Sequence, residues 1–309
     1  MLRLLFSARP GQFELYLSHL EAALEAKGLT AEIGTELPPE AVDYIVYAPS
    51  GPLQDFTPFT RAKAVLSLWA GVERIVANPT LTLPLARMVD GGLERGMVEY
   101  VAGHVLRHHL GMDAHIVNPG RAWVNVSPKL ARDRRVTVLG LGALGAACAR
   151  ALAGLGFDVT GWSRREKAVE GIRCLSGSDG LAEALDGAEI LVTLLPQTPQ
   201  TERMLDAAAL ARLAAGAALV NPGRGTVLDD EALLAALDEG RLSHATLDVF
   251  RVEPLPDDHP FWAHPGVTVT PHIAAETRPE TASAVIAENI RRMEAGEPLL
   301  HLVDREAGY

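Results

Sequence analysis

The sequence predicts an α/β chain with two parallel-sheet domains, and three observations carry that expectation. A short apolar run at 136–139 leads into Gly140-Leu141-Gly142-Ala143-Leu144-Gly145. An Ala/Leu-rich helical run follows at 146–155, and Gly156 stops it before a second apolar run at 157–162. Further apolar runs alternate with helical patterns on both sides of this unit, as in a parallel sheet with crossover helices. The 309 residues suffice for two domains of ordinary size.

Taken in order, runs at 2–6, 43–47 and 65–68 read as strands, with a further short strand at 75–77. Residues 13–27 fit a helix with Leu17, Leu20 and Leu24 on one face, closed by Gly28. The loops after the second and third strands put 49–51 and 69–72 at strand carboxyl ends, where open α/β sheets hold ligands. A helix at 97–109 carries Tyr100, Val101, His104 and Val105 at helical spacing. His104, His108 and His109 share that helix without an acid in a zincin pattern, so they are expected to be surface or interface histidines. A linker-like segment with Trp123, 115–133, leads into the glycine motif. Beyond it, strands at 190–194, 217–220, 244–249 and 267–270 alternate with helices at 181–185, 205–213 and 229–237, making six strands with the first two. A last helix at 281–294, with Val285, Ile286, Ile290 and Met293 along one side, is expected to cross back with the tail to the first domain. The expected domains are therefore 1–98 plus 276–309, binding substrate, and 99–275, binding a dinucleotide.

Composition narrows the classes of function. Hydrophobic residues at 48% and charged residues at 22% are globular values. A net charge of −11 without a long basic tract argues against nucleic acid as a partner. Cys148 and Cys174 make no disulfide framework, and no C-x-x-C or H-E-x-x-H pattern suggests a metal centre. There is no 18-residue apolar run and no signal-peptide pattern at 1–14. A cytoplasmic enzyme without metal or membrane contact is expected.

The chemistry is read from strand-end loops. In G-x-G-x-x-G, Gly140 permits the tight turn, Gly142 lets a pyrophosphate approach the backbone, and Gly145 lets helix and strand pack closely. The phosphates then meet the helix N-terminus at Ala143 and Leu144. An NAD site usually places an acid at the end of the second strand. Here Trp162 is followed by Ser163-Arg164-Arg165, and Asp158 stands at the other end. A hydroxyl and two arginines suit a ribose 2′-phosphate, so NADP(H) is expected to be preferred over NAD(H). Arg224, Glu253 and His272 each follow a strand of the same domain. His272 is the natural acid/base, Glu253 a carboxylate to hold its ring, and Arg224 a two-pronged grip for a carboxylate. Singly each has a plainer reading: a surface charge, one acid beside Asp257 and Asp258, a capping residue. Together they suit a ketone beside a carboxylate.

LGLGALG at 139–145, LLPQTPQT at 194–201, NPGRG at 221–225, LDVFRVEPLP at 247–256 and TPHIAAET at 270–277 occur in one order along the chain. On these motifs the sequence resembles the D-isomer-specific 2-hydroxyacid dehydrogenase family over nearly its whole length. GWSRR at 161–165, YVAGHVL at 100–106 and Trp123 resemble its glyoxylate/hydroxypyruvate reductase A branch. The resemblance implies two Rossmann-like or flavodoxin-like domains with the active site in the cleft between them. It implies NADPH-dependent reduction of small 2-oxo acids, glyoxylate to glycolate and hydroxypyruvate to D-glycerate. The roles it implies are substrate binding for Arg224, histidine partner for Glu253 and proton donor for His272. Tyr47, Trp69, Ala70 and Gly71 would complete the substrate site. Leu195, Pro196, Thr201, Pro222, Gly223, Asp248 and His272 would add cofactor contacts. The family's first-domain V-x-G-x-G is present only as Trp69-Ala70-Gly71-Val72, with Glu73 near the missing glycine, and Tyr47 stands where this branch often has tryptophan. A homodimer joined through the cofactor domains and the segment before the glycine motif is also implied. Two other readings remain at this point. One is an NAD-linked D-lactate or phosphoglycerate type of dehydrogenase; the other is a silent dinucleotide-binding regulator.

Overall fold

The computed structural model describes residues 1–116, 118, 120–123 and 125–305. Parts of the segment 115–133 and of the tail 296–309 fall outside the described residues.

The chain runs β1 (Leu2–Ser7), α1 (Gln12–Glu25), β2 (Ala31–Gly34), β3 (Tyr44–Tyr47), β4 (Ala64–Ser67), α2 (Glu73–Val76) and β5 (Leu85–Ala86). Then come α3 (Gly91–Leu110), α4 (Asp113–Ile116), β6 (Arg135–Leu139), α5 (Ala143–Gly154), β7 (Asp158–Ser163), β8 (Arg173–Ser176) and α6 (Gly177–Leu185). It ends with β9 (Ile190–Thr193), α7 (Ala207–Ala211), β10 (Ala217–Asn221), α8 (Asp230–Asp238), β11 (Leu242–Leu247), β12 (Val267–Val269) and α9 (Pro279–Glu294). It divides into two compact units, Met1–Leu93 with Glu276–Tyr309, and Glu94–Ala275. The first passage between them lies inside α3, a few residues before the 98/99 boundary drawn from the sequence.

Among the described residues, the first unit holds a five-stranded parallel sheet in the order β2-β1-β3-β4-β5. That is the flavodoxin-like order. Successive strand residues alternate between two cores. Leu4, Phe6, Tyr44, Val46 and Leu66 pack under α1 and α9, while Leu5, Ile45, Tyr47 and Val65 pack on the other face. From α9, Ala282, Ile286, Ala287 and Ile290 are buried against that first core. Each fully buried isoleucine is worth about 1.5–3 kcal/mol of transfer free energy, so α9 is part of this unit's core.

The second unit holds a seven-stranded parallel sheet, ordered β12-β11-β10-β9-β6-β7-β8. Numbered within the unit this is 7-6-5-4-1-2-3, the dinucleotide-binding order with one strand added. Val136, Val138, Val159 and Val192 face a core shared with α3 and α5. Leu139, Trp162, Leu191 and Leu219 face the core under α6, α7 and α8. Cys148 belongs to the first of these, and burial pushes its thiol up to about 12.

Three expectations change. Residues 75–77 do not form a strand: Ile75 and Val76 N–H both donate to Val72 O, closing the one-turn helix α2. The strands β2, β5 and β8 have no counterpart in the sequence reading, and β2, β5 and β8 are all sheet edges. β2 and β8 are partly exposed and so lack a continuous apolar run, whereas β5 is buried but only two residues long. Finally, His108 and His109 of α3 are not surface groups. His109 is buried against Phe157, and the His108 imidazole is enclosed with Nε2 2.9 Å from Thr246 Oγ1. Burial pushes His108 down to about 3, helped by the nearby His244 and Arg107. Among the described residues no group of three or more His, Cys, Asp or Glu side chains could hold a metal ion, and no helix is long and apolar enough to cross a membrane.

Candidate active site

The glycine loop is shaped by close approach. A Cβ on Gly145 would stand 1.7 Å from Gly140 O, so only glycine lets α5 start this near the end of β6. Gly140 has φ 99° and lies against Leu194 O, which a Cβ would meet at 2.6 Å. Gly142 is different: nothing lies within 4 Å of the Cβ direction. The loop is thus packed behind and open in front, where the first N–H groups of α5, on Ala143 and Leu144, lack intrahelical partners. This cradle fits a dinucleotide pyrophosphate.

At the end of β7, Trp162 is buried and its indole donates to Gly177 O at 2.9 Å, while Gly140 N–H donates to Trp162 O at 2.8 Å. This holds the following turn beside the glycine loop. Ser163 is mostly buried, and its hydroxyl donates to Arg165 O at 2.8 Å. In this state Ser163 shapes the turn, and Arg164 and Arg165 are the exposed cations on it. Leu195, two residues past β9, is buried. The Thr201 hydroxyl lies 2.7 Å from Pro196 O and accepts Thr198 N–H at 2.9 Å. Thr201 therefore folds the Pro196 loop instead of facing outward.

Arg224, Glu253 and His272 follow β10, β11 and β12, three neighbouring strands, so their loops meet at one sheet edge. A Cβ on Gly225 would fall 2.1 Å from the Phe250 carbonyl carbon, which shows how tightly the first two loops are pressed together. Arg251 ties them further, donating to Leu228 O at 2.7 Å and Thr226 O at 3.2 Å. Asn221 accepts Gly223 N–H at 3.1 Å and donates to Arg224 O at 3.2 Å, bracing Pro222 and Gly223. Arg224 Nη1 donates to Gly223 O at 2.7 Å.

His272 Nδ1 lies 2.8 Å from Glu253 Oε2, and Glu253 Oε1 accepts Phe250 N–H at 2.9 Å. The hydrogen bond to the Glu253 carboxylate raises the His272 pKa above its ordinary value, against burial and the Arg224 charge. For Glu253, burial opposes ionisation, but the bonds from His272 and Phe250 hold its carboxyl below the usual range. His272 is thereby an imidazolium over a wider pH range than a free histidine. Its side chain is 53% exposed and its Nε2 points away from Glu253 Oε2 as the ring's other polar atom. With the Glu253→Gln variant the raising partner becomes neutral, and burial and Arg224 remain. The alkaline fall of kcat/KM is expected to move to lower pH; an unmoved limb would contradict the pairing.

In the first unit, Tyr47 is 3% exposed, its ring edge-on to Phe56 and its hydroxyl 3.3 Å from Leu53 O. It packs in the core beneath the loop that follows β3. Trp69 is 37% exposed, and its backbone is fixed by Ser67 Oγ at 2.9 Å and by Met88 N–H donating to Trp69 O at 3.0 Å. Among the described residues Ala70 and Gly71 N–H donate to no backbone carbonyl, so they remain open donors toward main chain. The sequence reading passed over Arg87, just past β5. Burial lowers its pKa against the charge of Glu73, and its neighbour Met88 holds the Trp69 loop. A cation directly after a strand was the available signal.

Residues 104–274 match the D-isomer specific 2-hydroxyacid dehydrogenase NAD-binding domain. The chain belongs to the D-isomer specific 2-hydroxyacid dehydrogenase family. It is an oxidoreductase of that family, and its second unit is the NAD(P)-binding domain. A glyoxylate/hydroxypyruvate reductase A from Serratia proteamaculans is 42% identical over 257 residues, 81% of this chain and 82% of the relative. A D-isomer specific 2-hydroxyacid dehydrogenase from Xanthobacter autotrophicus Py2, solved with NADPH and MES, is 42% identical with a TM-score of 0.93, over 99% of both chains. An NADPH-dependent glyoxylate/hydroxypyruvate reductase from Sinorhizobium meliloti, solved with NADP and sulfate, is 34% identical with a TM-score of 0.86, over 100% of both chains.

Proposed function

We propose that this dehydrogenase reduces glyoxylate and hydroxypyruvate with NADPH, to glycolate and D-glycerate. The observation that carries the reading is the His272–Glu253 pair beside Arg224 at the sheet edge that also bears the glycine cradle. The bound nicotinamide supplies the hydride. His272 Nε2 gives a proton to the carbonyl oxygen as charge develops on it, while Glu253 keeps the ring oriented and charged. Arg224 leaves Gly223 O to grip the substrate carboxylate and draw charge from the oxygen. Ala70 and Gly71 N–H are assigned to the carboxylate, with Trp69 as an apolar wall. Pro222, Gly223 and Asp248 keep their assignment to cofactor binding, and Thr201 acts there through the Pro196 loop.

Arg164 and Arg165 support NADP(H) over NAD(H). Arg164→Ala is expected to weaken NADPH about 10- to 100-fold, the worth of a charged hydrogen bond, and to leave NADH nearly unchanged. Binding titrations with both cofactors measure this, and equal losses would remove the phosphate assignment. Steady-state rates with glyoxylate, hydroxypyruvate, pyruvate and longer 2-oxo acids, each with NADPH and NADH, test the substrate reading. A preference for pyruvate with NADH would favour the D-lactate type, and no turnover with any pair would leave a dinucleotide-binding regulator. We assign the protein to a homodimer through the segment before the glycine motif. There Leu110, Met112, Ile116, Trp123, Val126 and Leu130 are exposed, Trp123 at 96%. A cytoplasmic setting accords with NADPH as reductant.

A further inference from the structure

We propose that Tyr100 of α3 is a positioning residue for His272, acting through the Thr270 hydroxyl and the Asp248 carboxylate. The inference rests on His272 being the proton donor and adds what holds it in place. His272 has φ 56°, in the left-handed region that a residue with a Cβ keeps only when its surroundings hold it there.

The holding group is Asp248. Its carboxylate is fully buried and lies beneath the loop that carries His272. Oδ1 accepts Thr270 Oγ1–H at 2.6 Å and Ile273 N–H at 2.9 Å; Oδ2 accepts Ala274 N–H at 2.8 Å. The donors flank His272 on both sides, and His272 N–H itself donates to Thr270 O at 3.0 Å. One carboxylate therefore closes the loop around the strained residue.

Tyr100 extends this clamp to a helix. A carboxylate only accepts, so the single hydroxyl proton of Thr270 goes to Asp248. The 2.7 Å contact between Tyr100 Oη and Thr270 Oγ1 must then have Tyr100 as donor. Burial raises the phenol pKa, so it remains a donor over the whole working range. Met97, Val101 and Val105 bury the same stretch of α3 in the core, and the His104 ring lies 4.5 Å from the Tyr100 ring. The relay thus runs from a packed helix, through two oxygens, to the backbone on either side of His272. Its members polarise one another, and a small misplacement of a proton donor is costly to rate.

The test compares Tyr100→Phe, Thr270→Val, the double variant and His272→Ala in the full-length enzyme. Each is assayed for NADPH-dependent reduction of glyoxylate and for NADPH affinity. Tyr100→Phe is expected to lower kcat about 3- to 10-fold, with NADPH affinity changed less than about twofold. Its alkaline limb should move to lower pH, because His272 loses alignment with Glu253 while Arg224 still opposes its charge and Asp248 still favours it. The double variant should be no slower than Thr270→Val, since the middle link is already gone. Wild-type kcat and an unmoved limb in Tyr100→Phe would overturn the inference, as would losses that multiply in the double variant. Should Thr270→Val fail to fold, kcat and the limb of Tyr100→Phe decide alone. An inactive His272→Ala beside an unaltered Tyr100→Phe sinks only the relay, whereas an active His272→Ala sinks the proton-donor reading beneath it.

Discussion

His272→Ala is expected to lower kcat for 2-oxo acid reduction about 10²- to 10⁴-fold, the usual worth of a placed general acid. The ring is the only part of the residue paired with Glu253, at 2.8 Å, and truncation leaves the backbone clamp on Asp248 in place. The loop should therefore keep its shape. NADPH affinity should change by less than about 1 kcal/mol, because the cradle at Gly142 and the turn at Ser163 belong to other strands. Stopped-flow reduction and equilibrium titration on one preparation separate the two quantities. Comparable losses in both would assign His272 to cofactor binding instead of proton transfer.

Arg224→Lys is expected to lower kcat/KM about 10²-fold, comparable to removing a donor from a developing oxyanion. A lysine keeps the charge but not the planar fork, so it can meet a carboxylate or the carbonyl oxygen, not both at fixed angles. The loop leaves little freedom to compensate. Gly225 is jammed against Phe250, and Asn221 pins the backbone at Gly223 and Arg224. Steady-state kinetics with glyoxylate measure the loss, and near-normal values would show that charge alone is used. A KM increase with unchanged kcat would restrict Arg224 to binding.

Much of this was legible because the chemistry sits directly after strands. Glycine spacing marked the cradle, and Arg224, Glu253 and His272 stood out as polar residues closing apolar runs. What a single stretch of chain does not name is the partner of each side chain. Ser163 has the right chemistry for a phosphate, and its hydroxyl donates to Arg165 O two residues on. Tyr47 ends a strand as a binding residue would, yet Phe56 and Leu53 enclose it. His108 looked like surface because its partner, Thr246, is 138 positions away. The edge strands β2 and β8 are partly exposed and carry no continuous apolar run, and β5 is only two residues long.

The sequence by itself determined the α/β alternation, the glycine turn and which side chains are proposed to react, because periodicity and strand-end position are local properties. Only the tertiary structure decided how those side chains are held. Strand order set β10, β11 and β12 side by side, and a buried Asp248 locked the loop of His272. Such placement depends on contacts between distant residues, whose geometry follows from packing and not from any one stretch of chain.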